Sequence, residues 1–178
     1  AEDGVTRTGL KSMDPTRRLA RIDFNNTPAV LLGSSEAGEA AYAKTFDTMA
    51  ACLAAEMAGG AEQGEDGARR ADRASFQVTK HKAADMLLEV ELAKSAAYAA
   101  AAALDDHEPD ASAIVSLAKA AGSDTYMQTA IHAVQLHGGI GFTYDNDTQM
   151  WYKRAKASEV FLGDAAWHRE RMLQHWSA

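Results

Sequence analysis

The sequence contains four stretches in which apolar residues recur at helical spacing, separated by short polar or glycine-bearing breaks. The first covers residues 35 to about 62, the second runs from near Ser75 through Ala103, the third follows Asp110, and the fourth begins near Asp147. Each such helix has an apolar face that must pack against another element. The pattern therefore predicts an all-α fold, an up-down four-helix bundle.

Helix ends and buried faces follow from the same pattern. Ser34 or Ser35 can cap the first helix, Asp110 can cap the third, and residues 63–74 are predicted to form a polar loop containing arginines 69, 70 and 73. The residues predicted to supply the buried faces are Phe46, Met49, Cys52 or Leu53, Glu56, Met57, Phe76, Ala83, Leu87, Val90, Ala97, Ile114, Leu117, Ala121, Met127, Ile131, Val134, Met150, Ala157, Val160, Phe161, Trp167 and Met172.

The first thirty-four residues have a different character. Alternating and β-branched residues, with turn signals at Asp14-Pro15 and Asn25-Asn26, predict two short strands between Thr6 and Leu32. Two strands alone are barely stable in water. We therefore expect two regions: residues 1–34 as residual strands of a β-domain and residues 35–178 as the bundle, so that a short β segment precedes the helices.

Charge and cysteine content exclude several classes of function. With 18 Lys and Arg against 25 Asp and Glu, the net charge of −7 gives no general attraction for nucleic acid or an anionic membrane. No apolar run approaches the roughly 20 residues that span a bilayer, and no secretory leader opens the sequence. The single cysteine, Cys52, is expected in the core, which suits a reducing cytoplasm.

Metal-dependent and serine-nucleophile chemistry have little support in the residue pattern. None of the six histidines follows a glutamate by three residues, the spacing that di-iron bundles use. Asp164 and His168 could share a helical face, but two ligands do not make a zinc site. A Gly-x-Ser-x-Gly motif is also missing. We therefore predict no metal site.

A glycine-rich turn, residues 135–143, follows the third helix. Gly138 and Gly139 lack a Cβ and can adopt positive φ, so the backbone there can approach a phosphate closely. Glycine is also the usual residue at a helix C-terminus. The turn alone leaves both interpretations open, a helix cap and a phosphate contact.

Several motifs in order along the chain resemble the C-terminal helical domain of the acyl-CoA dehydrogenases, and among them most closely actinobacterial members that act on fatty-acyl or steroid side-chain thioesters. The resemblance covers nearly the whole chain, and the first residues are similar to the last strands of that family's middle β-domain. The motifs are Met13-Asp14-Pro15 through Phe24, Ser75-Phe76-Gln77, Lys80 through Met86, Gln135 through Thr143, Trp151 through Lys156 and Phe161-Leu162-Gly163-Asp164.

The resemblance implies an FAD-dependent desaturation of an acyl-CoA thioester. In that family a glutamate removes the α-hydrogen as a proton while the β-hydrogen leaves as hydride to the flavin. The family's Gln-x-x-Gly-Gly turn contacts the pyrophosphate of an FAD bound mainly by a neighbouring subunit. On this basis the cofactor-contact candidates are Gln135, Leu136, Gly138 and Gly139.

The sequence departs from the family pattern where the catalytic base would be. One subgroup places its glutamate where Leu162 stands, and another places it near Met49 or Ala50; none of these residues is acidic. Asp164 replaces an expected threonine or serine. Residues 63–74 are also fewer than the family usually carries and lack its Arg-x-Gln-Phe-Gly motif. No residue of this chain is therefore predicted to be catalytic.

Two hypotheses follow from the resemblance. The chain is a subunit or fragment of an acyl-CoA dehydrogenase that lacks its own base and acts with a homologous subunit in a homo- or heterotetramer, sharing FAD across the interface. Alternatively, it is a non-catalytic helical scaffold derived from that family. Both predict a protein partner, and they differ in whether flavin is bound.

Overall fold

The computed structural model describes residues 4–71 and 75–176, with the side chains of residues 35 and 36 left out. Within these residues, no helix is both long enough and apolar enough to cross a bilayer. The elements in chain order are β1 (Val5–Leu10), β2 (Leu19–Phe24), α1 (Ser35–Arg69), α2 (Gln77–Asp105), α3 (Ala111–His137), a 3-10 helix (Gly138–Phe142), α4 (Thr148–Val160) and α5 (Ala165–His175).

The helices form the up-down bundle that the sequence predicts. Ala50, in the first half of α1, packs in one buried cluster with Ala97 near the end of α2, whereas Ala68 at the end of α1 packs with Met86 of α2. Helix α2 is therefore antiparallel to α1. Helix α3 contacts every other helix of the bundle, and the fourth position is shared by α4 and α5. The predicted fold class is confirmed.

The two predicted strands are also present, as an antiparallel pair that joins Val5 to Phe24 and Leu10 to Leu19. Almost all of their residues are exposed. The connection between them is tied to the bundle, because the carboxylate of Asp14, which is almost fully buried, accepts a hydrogen bond from Arg154 of α4. The strands thus lie outside the core but are anchored to it.

The prediction of a loop at residues 63–74 is wrong for its first part, because α1 continues through Arg69. Two glycines in the second half of α1 are packing positions. A Cβ on Gly60 would lie 2.5 Å from the Tyr126 ring, and one on Gly67 would lie 2.6 Å from the Trp151 ring. The glycines therefore let neighbouring helices approach α1 closely. Arginine 73 of the expected cluster lies outside the described residues.

The single fourth helix expected from Asp147 onwards is in fact two helices. Leu162 has φ of +60° and Gly163 has φ of +98°, so the chain leaves helical geometry after Val160. Asp164 then caps α5, accepting a hydrogen bond from the Trp167 amide at 2.8 Å. The apolar spacing runs through this break, which is why periodicity alone did not reveal it.

Several predicted buried positions are also wrong, because most of the buried apolar side chains are alanines at other positions. Cys52 is exposed, whereas its predicted alternative Leu53 is buried together with Ala50, Ala54 and Met57. The predicted core residues that are exposed are Met49, Cys52, Glu56, Phe76, Leu87, Leu117, Ile131, Met150, Val160, Phe161 and Trp167.

Candidate cofactor-binding turn

The glycine-rich turn begins where α3 ends at His137. Gly138 has φ of +66°, a conformation that favours glycine, and its N–H donates to the carbonyl oxygens of Val134 and Gln135. The Gly138 amide therefore closes the helix. Gly139 is exposed, and a Cβ built there would meet no atom within 4 Å. The backbone at Gly139 is thus the part of the turn that a ligand can approach.

The four predicted contact residues have different surroundings. The Gln135 side chain is exposed, and its Oε1 accepts a hydrogen bond of 3.3 Å from Lys82 Nζ of α2. Leu136 is half-buried and packs against Ala68, Met86 and Ala133. The structure brings Gln135 together with the two glycines at the exposed end of α3, and it gives Leu136 a packing role.

Two cationic side chains flank this end of the bundle. Lys82 reaches Gln135. The pKa of the half-buried His132 is lowered, mainly by burial and secondarily by the charge of Lys82. Arg70 lines a cavity of about 310 Å³ beside the turn, together with His137 and Trp151. Contacts between helices distant in sequence placed these residues here, so the motifs alone could not reveal them.

The turn that carries Leu162 is held by buried polar groups. The Lys119 ammonium is fully buried and donates to the carbonyl oxygens of Glu159, at 2.8 Å, and of Gly163. The imidazole of His168, also fully buried, bonds to the carbonyl oxygen of Leu162 at 2.9 Å. Burial lowers the pKa of Lys119 to about 8 and that of His168 to about 4. Sequence reasoning missed Lys119.

Neither position suggested for a base holds an acid that could act as one. Leu162 is half-buried and packs against two core clusters, while Ala50 is fully buried and Met49 is exposed. The nearest buried acid to the α1 position is Asp47. Its two oxygens accept hydrogen bonds of 2.6 Å, one from Arg171 and one from Ser112 Oγ. Asp47 is therefore a structural partner of α3 and α5.

The geometry around Asp164 and His168 does not resemble a metal centre. Asp164 caps α5 through its Oδ1, whereas the His168 Nε2 bonds to a backbone carbonyl oxygen. Across residues 4–71 and 75–176, no three or more His, Cys, Asp or Glu side chains gather in an arrangement that could hold a metal ion.

A family model described as "Acyl-CoA dehydrogenase, C-terminal domain" matches residues 36–176 of this chain. This chain is an acyl-CoA dehydrogenase family member. The match extends over α1 to α5, and the resemblance inferred from the motifs is confirmed. In the terms of that family, Leu162 stands in the short turn between the last two helices of the C-terminal domain.

Curated relatives place the chain near mycobacterial acyl-CoA dehydrogenases. It is 32% identical to acyl-CoA dehydrogenase IpdE2 of Mycolicibacterium smegmatis over 170 residues, which cover 90% of this chain and 50% of that protein. It is 33% identical to acyl-CoA dehydrogenase FadE34 of Mycobacterium tuberculosis, covering 90% of this chain and 23% of that protein. The chain thus spans half or less of the length of these relatives.

Solved acyl-CoA dehydrogenase structures share the fold. Butyryl-CoA dehydrogenase from Megasphaera elsdenii superposes with a TM-score of 0.90 at 22% identity, covering 98% of this chain and 49% of that one. A chain of the ChsE4-ChsE5 complex from Mycobacterium tuberculosis gives a TM-score of 0.86 at 20% identity, with 98% and 49% coverage. At these identities the likeness shows the fold alone.

Proposed function

We propose that the chain is part of a cytoplasmic, FAD-dependent acyl-CoA dehydrogenase that desaturates an acyl-CoA thioester between its α and β carbons. The observation that carries the proposal is the exposed Gly139 at the end of α3, within a chain that belongs to this family. Bound FAD would accept the hydride equivalent from the substrate's β carbon. The residues of this chain would contribute to binding the FAD.

The end of α3 suits a phosphate-bearing cofactor. Gly139 leaves room for close backbone approach, Gln135 offers an exposed amide, and Lys82 places a positive charge 3.3 Å from that amide. Arg70 lines the neighbouring cavity together with Asp145 and Asp147, and it is itself paired with Asp66, so Lys82 is the cation closest to the proposed contact. We propose that Gln135, Gly138 and Gly139 form one edge of a pyrophosphate site completed by a neighbouring subunit, with Leu136 fixing the turn to the core.

We further propose that this chain supplies no catalytic base. Leu162 and Ala50 cannot accept a proton, and the carboxylate of Asp47 is already paired with Arg171 and Ser112. An acyl-CoA dehydrogenase subunit without a base requires a partner that provides one. A homologous but different subunit that carries the glutamate, in a heterotetramer, is the partner that fits this need, because a second copy of this chain would lack the base as well.

The first thirty-four residues fit the proposal as the end of a β-domain, with the bundle occupying residues 35–178. The two-stranded sheet is too small to be stable alone, and the curated relatives extend well beyond this chain's length. For the substrate we propose a fatty-acyl or steroid side-chain thioester. The support for this class is the resemblance of the sequence motifs to actinobacterial members of the family, together with 32% identity to IpdE2 of Mycolicibacterium smegmatis.

Replacing Gly139 with tryptophan tests the proposed flavin contact. We expect Gly139→Trp to lower FAD retention at least about tenfold, because the indole would occupy the space through which the backbone is approached. The measurement is flavin absorbance per protein after gel filtration of the complex with its homologous subunit. The helical circular dichroism should stay unchanged.

Gly38→Trp is the matched control, since a side chain at Gly38 also meets no atom within 4 Å. Gly38 lies in the first turns of α1, whereas the glycine turn lies near that helix's other end. Gly38→Trp should retain FAD. Equal FAD content in folded Gly139→Trp and wild type would contradict the proposed contact.

A further inference from the structure

A groove between α1 and α2 has an acidic lining that includes no residue of the glycine turn, although it shares Gln63 with the cavity beside that turn. Its volume is about 390 Å³, and it opens between the second half of α1 and the middle of α2. We call it the acidic groove. It is lined by Gly59, Glu62, Gln63, Glu65, Asp66, Arg69, Leu87, Val90 and Glu91.

Glu65 forms the buried part of this lining. The residue is only 4% exposed, and its Oε1 accepts no hydrogen bond from any residue that the structure describes. The closest cation is Arg69, whose Nε lies 3.6 Å from that oxygen, beyond ordinary hydrogen-bonding distance. Burial raises the pKa of the Glu65 carboxyl. A buried carboxylate without a donor is unfavourable unless something else supplies one.

The other carboxylates of the groove are already paired at its rim. Lys94 Nζ contacts Glu62 at 2.9 Å and Glu91 at 3.1 Å, and Arg70 pairs with Asp66 at 2.6 Å. These pairs hold the rim cations away from Glu65. The Glu65 carboxylate therefore lines the groove below a rim whose charges are largely satisfied, although its unpartnered Oε1 is itself closed to solvent.

The rest of the lining consists of Gly59, Gln63 and two apolar side chains of α2. Leu87 is 43% exposed, whereas Val90, one turn further along α2, is 1% exposed. On the α1 side, Gly59 leaves open space where a side chain would otherwise project. Leu87 is therefore the apolar surface that a ligand in the groove can contact. Long cationic side chains bind in this way, with the alkyl stem on apolar surface and the charged group on a carboxylate.

We propose that the acidic groove binds a lysine or arginine side chain of a neighbouring polypeptide, whose ammonium or guanidinium group donates to the Glu65 carboxylate while its stem packs on Leu87. The site is a second one, separate from the glycine turn. It does not depend on the proposed desaturase activity. Its ligand class is an organic cation on an alkyl stem.

Titration of the 178-residue chain with n-butylammonium chloride, followed by methyl NMR of Leu87 and Val90, tests the site. We expect saturable shifts and an affinity at least about tenfold higher than for 1-butanol, because only the cation can donate a charge-assisted hydrogen bond. Sodium chloride at the same ionic strength should give no saturable shift. Nα-acetyl-lysine methylamide should bind at least as tightly as butylammonium.

Glu65→Gln should lower the affinity for butylammonium about tenfold or more, to that of 1-butanol, whereas the control Glu62→Gln, at the exposed rim, should change it less than about twofold. Unchanged affinity in folded Glu65→Gln would overturn the site. Equal binding of butylammonium and 1-butanol to the wild type would also overturn the site. This comparison does not require the variant to fold. Tenfold weaker binding of the lysine derivative would overturn a polypeptide as the source of the cation.

Discussion

At the scale of single residues, the most informative positions are polar groups buried around the Leu162 turn. Lys119 and His168 are fully buried, and together they satisfy three carbonyl oxygens where α4 ends and α5 begins. Leu162 is left in a left-handed conformation that costs a side-chain-bearing residue about 1–2 kcal/mol. These hydrogen bonds stabilise a backbone shape that Leu162 would not adopt alone.

The pH dependence of stability provides a test of His168. Its pKa is lowered to about 4 in the folded protein from 6.5 in an exposed histidine, chiefly by burial. Between these values the unfolded chain binds more protons than the folded one, so the stabilisation from neutral His168 is present above pH 6.5 and is lost as the pH falls towards 4. We expect urea unfolding free energies to fall steeply across this window.

His168→Gln separates this contribution from that of the carboxylates, because glutamine can donate to the Leu162 carbonyl but does not titrate. The variant should show a shallower loss of stability between pH 6.5 and 4 than the wild type. Parallel pH profiles for the two proteins would mean that His168 does not remain neutral in the folded state.

At the scale of elements, α1 shows how glycine can have opposite effects at adjacent positions. A Cβ on Gly59 meets no atom within 4 Å, whereas one on Gly60 would lie 2.5 Å from the Tyr126 ring. Glycine weakens a helix interior by roughly 0.5–1 kcal/mol relative to alanine. The glycine at position 59 therefore costs stability, and the one at position 60 permits contact between α1 and α3.

We expect Gly59→Ala to raise the free energy of unfolding by about 0.5–1 kcal/mol. Gly60→Ala should instead lower it by about 1–3 kcal/mol, because the added methyl overpacks the contact with Tyr126. Urea unfolding of the two single variants measures both effects. A stabilising Gly60→Ala would show that Tyr126 can move away at little cost.

The existence and order of the helices and the start of α1 could be read from the sequence, whereas the end of α1, the break between α4 and α5 and several buried faces could not. Apolar periodicity and the Ser34 cap were enough to predict the bundle, and the structure confirms both. The extension of α1 through Arg69 was missed because glycines there appeared to break the helix. Their packing against side chains from α3 and α4 is a tertiary effect that local propensity does not contain.

The residues of the candidate site also divide into those that the sequence revealed and those that only the structure revealed. The glycines of residues 138–139 were recognisable from their motif, because positive φ and close approach need that residue type. The contacts made by Lys82 and Lys119 were not predicted, since their partners lie 53 and about 40 positions away in sequence. Side chains brought together by helix packing leave no local pattern, so their role emerges only from the fold.

At the scale of the whole molecule, the bundle leaves large apolar side chains uncovered. On α2, Leu88, Leu92 and Tyr98 are each more than half exposed, as are Val30 and Leu32 before α1. Leu88 and Leu92 are one helical turn apart and share a face of α2, and exposed apolar patches mark interaction surfaces. Together with coverage of half or less of the curated relatives' length, this exposure supports the proposal that the chain works within a larger assembly.

Flavin content of the assembled protein tests the central claim most directly. We would purify the chain alone and together with a homologous acyl-CoA dehydrogenase subunit, then measure FAD released on denaturation. We predict little FAD on the chain alone and a yellow wild-type complex that retains FAD. The complex made with Gly139→Trp should lose its FAD. A stable wild-type complex that releases no FAD would contradict the central claim and would favour the non-catalytic scaffold.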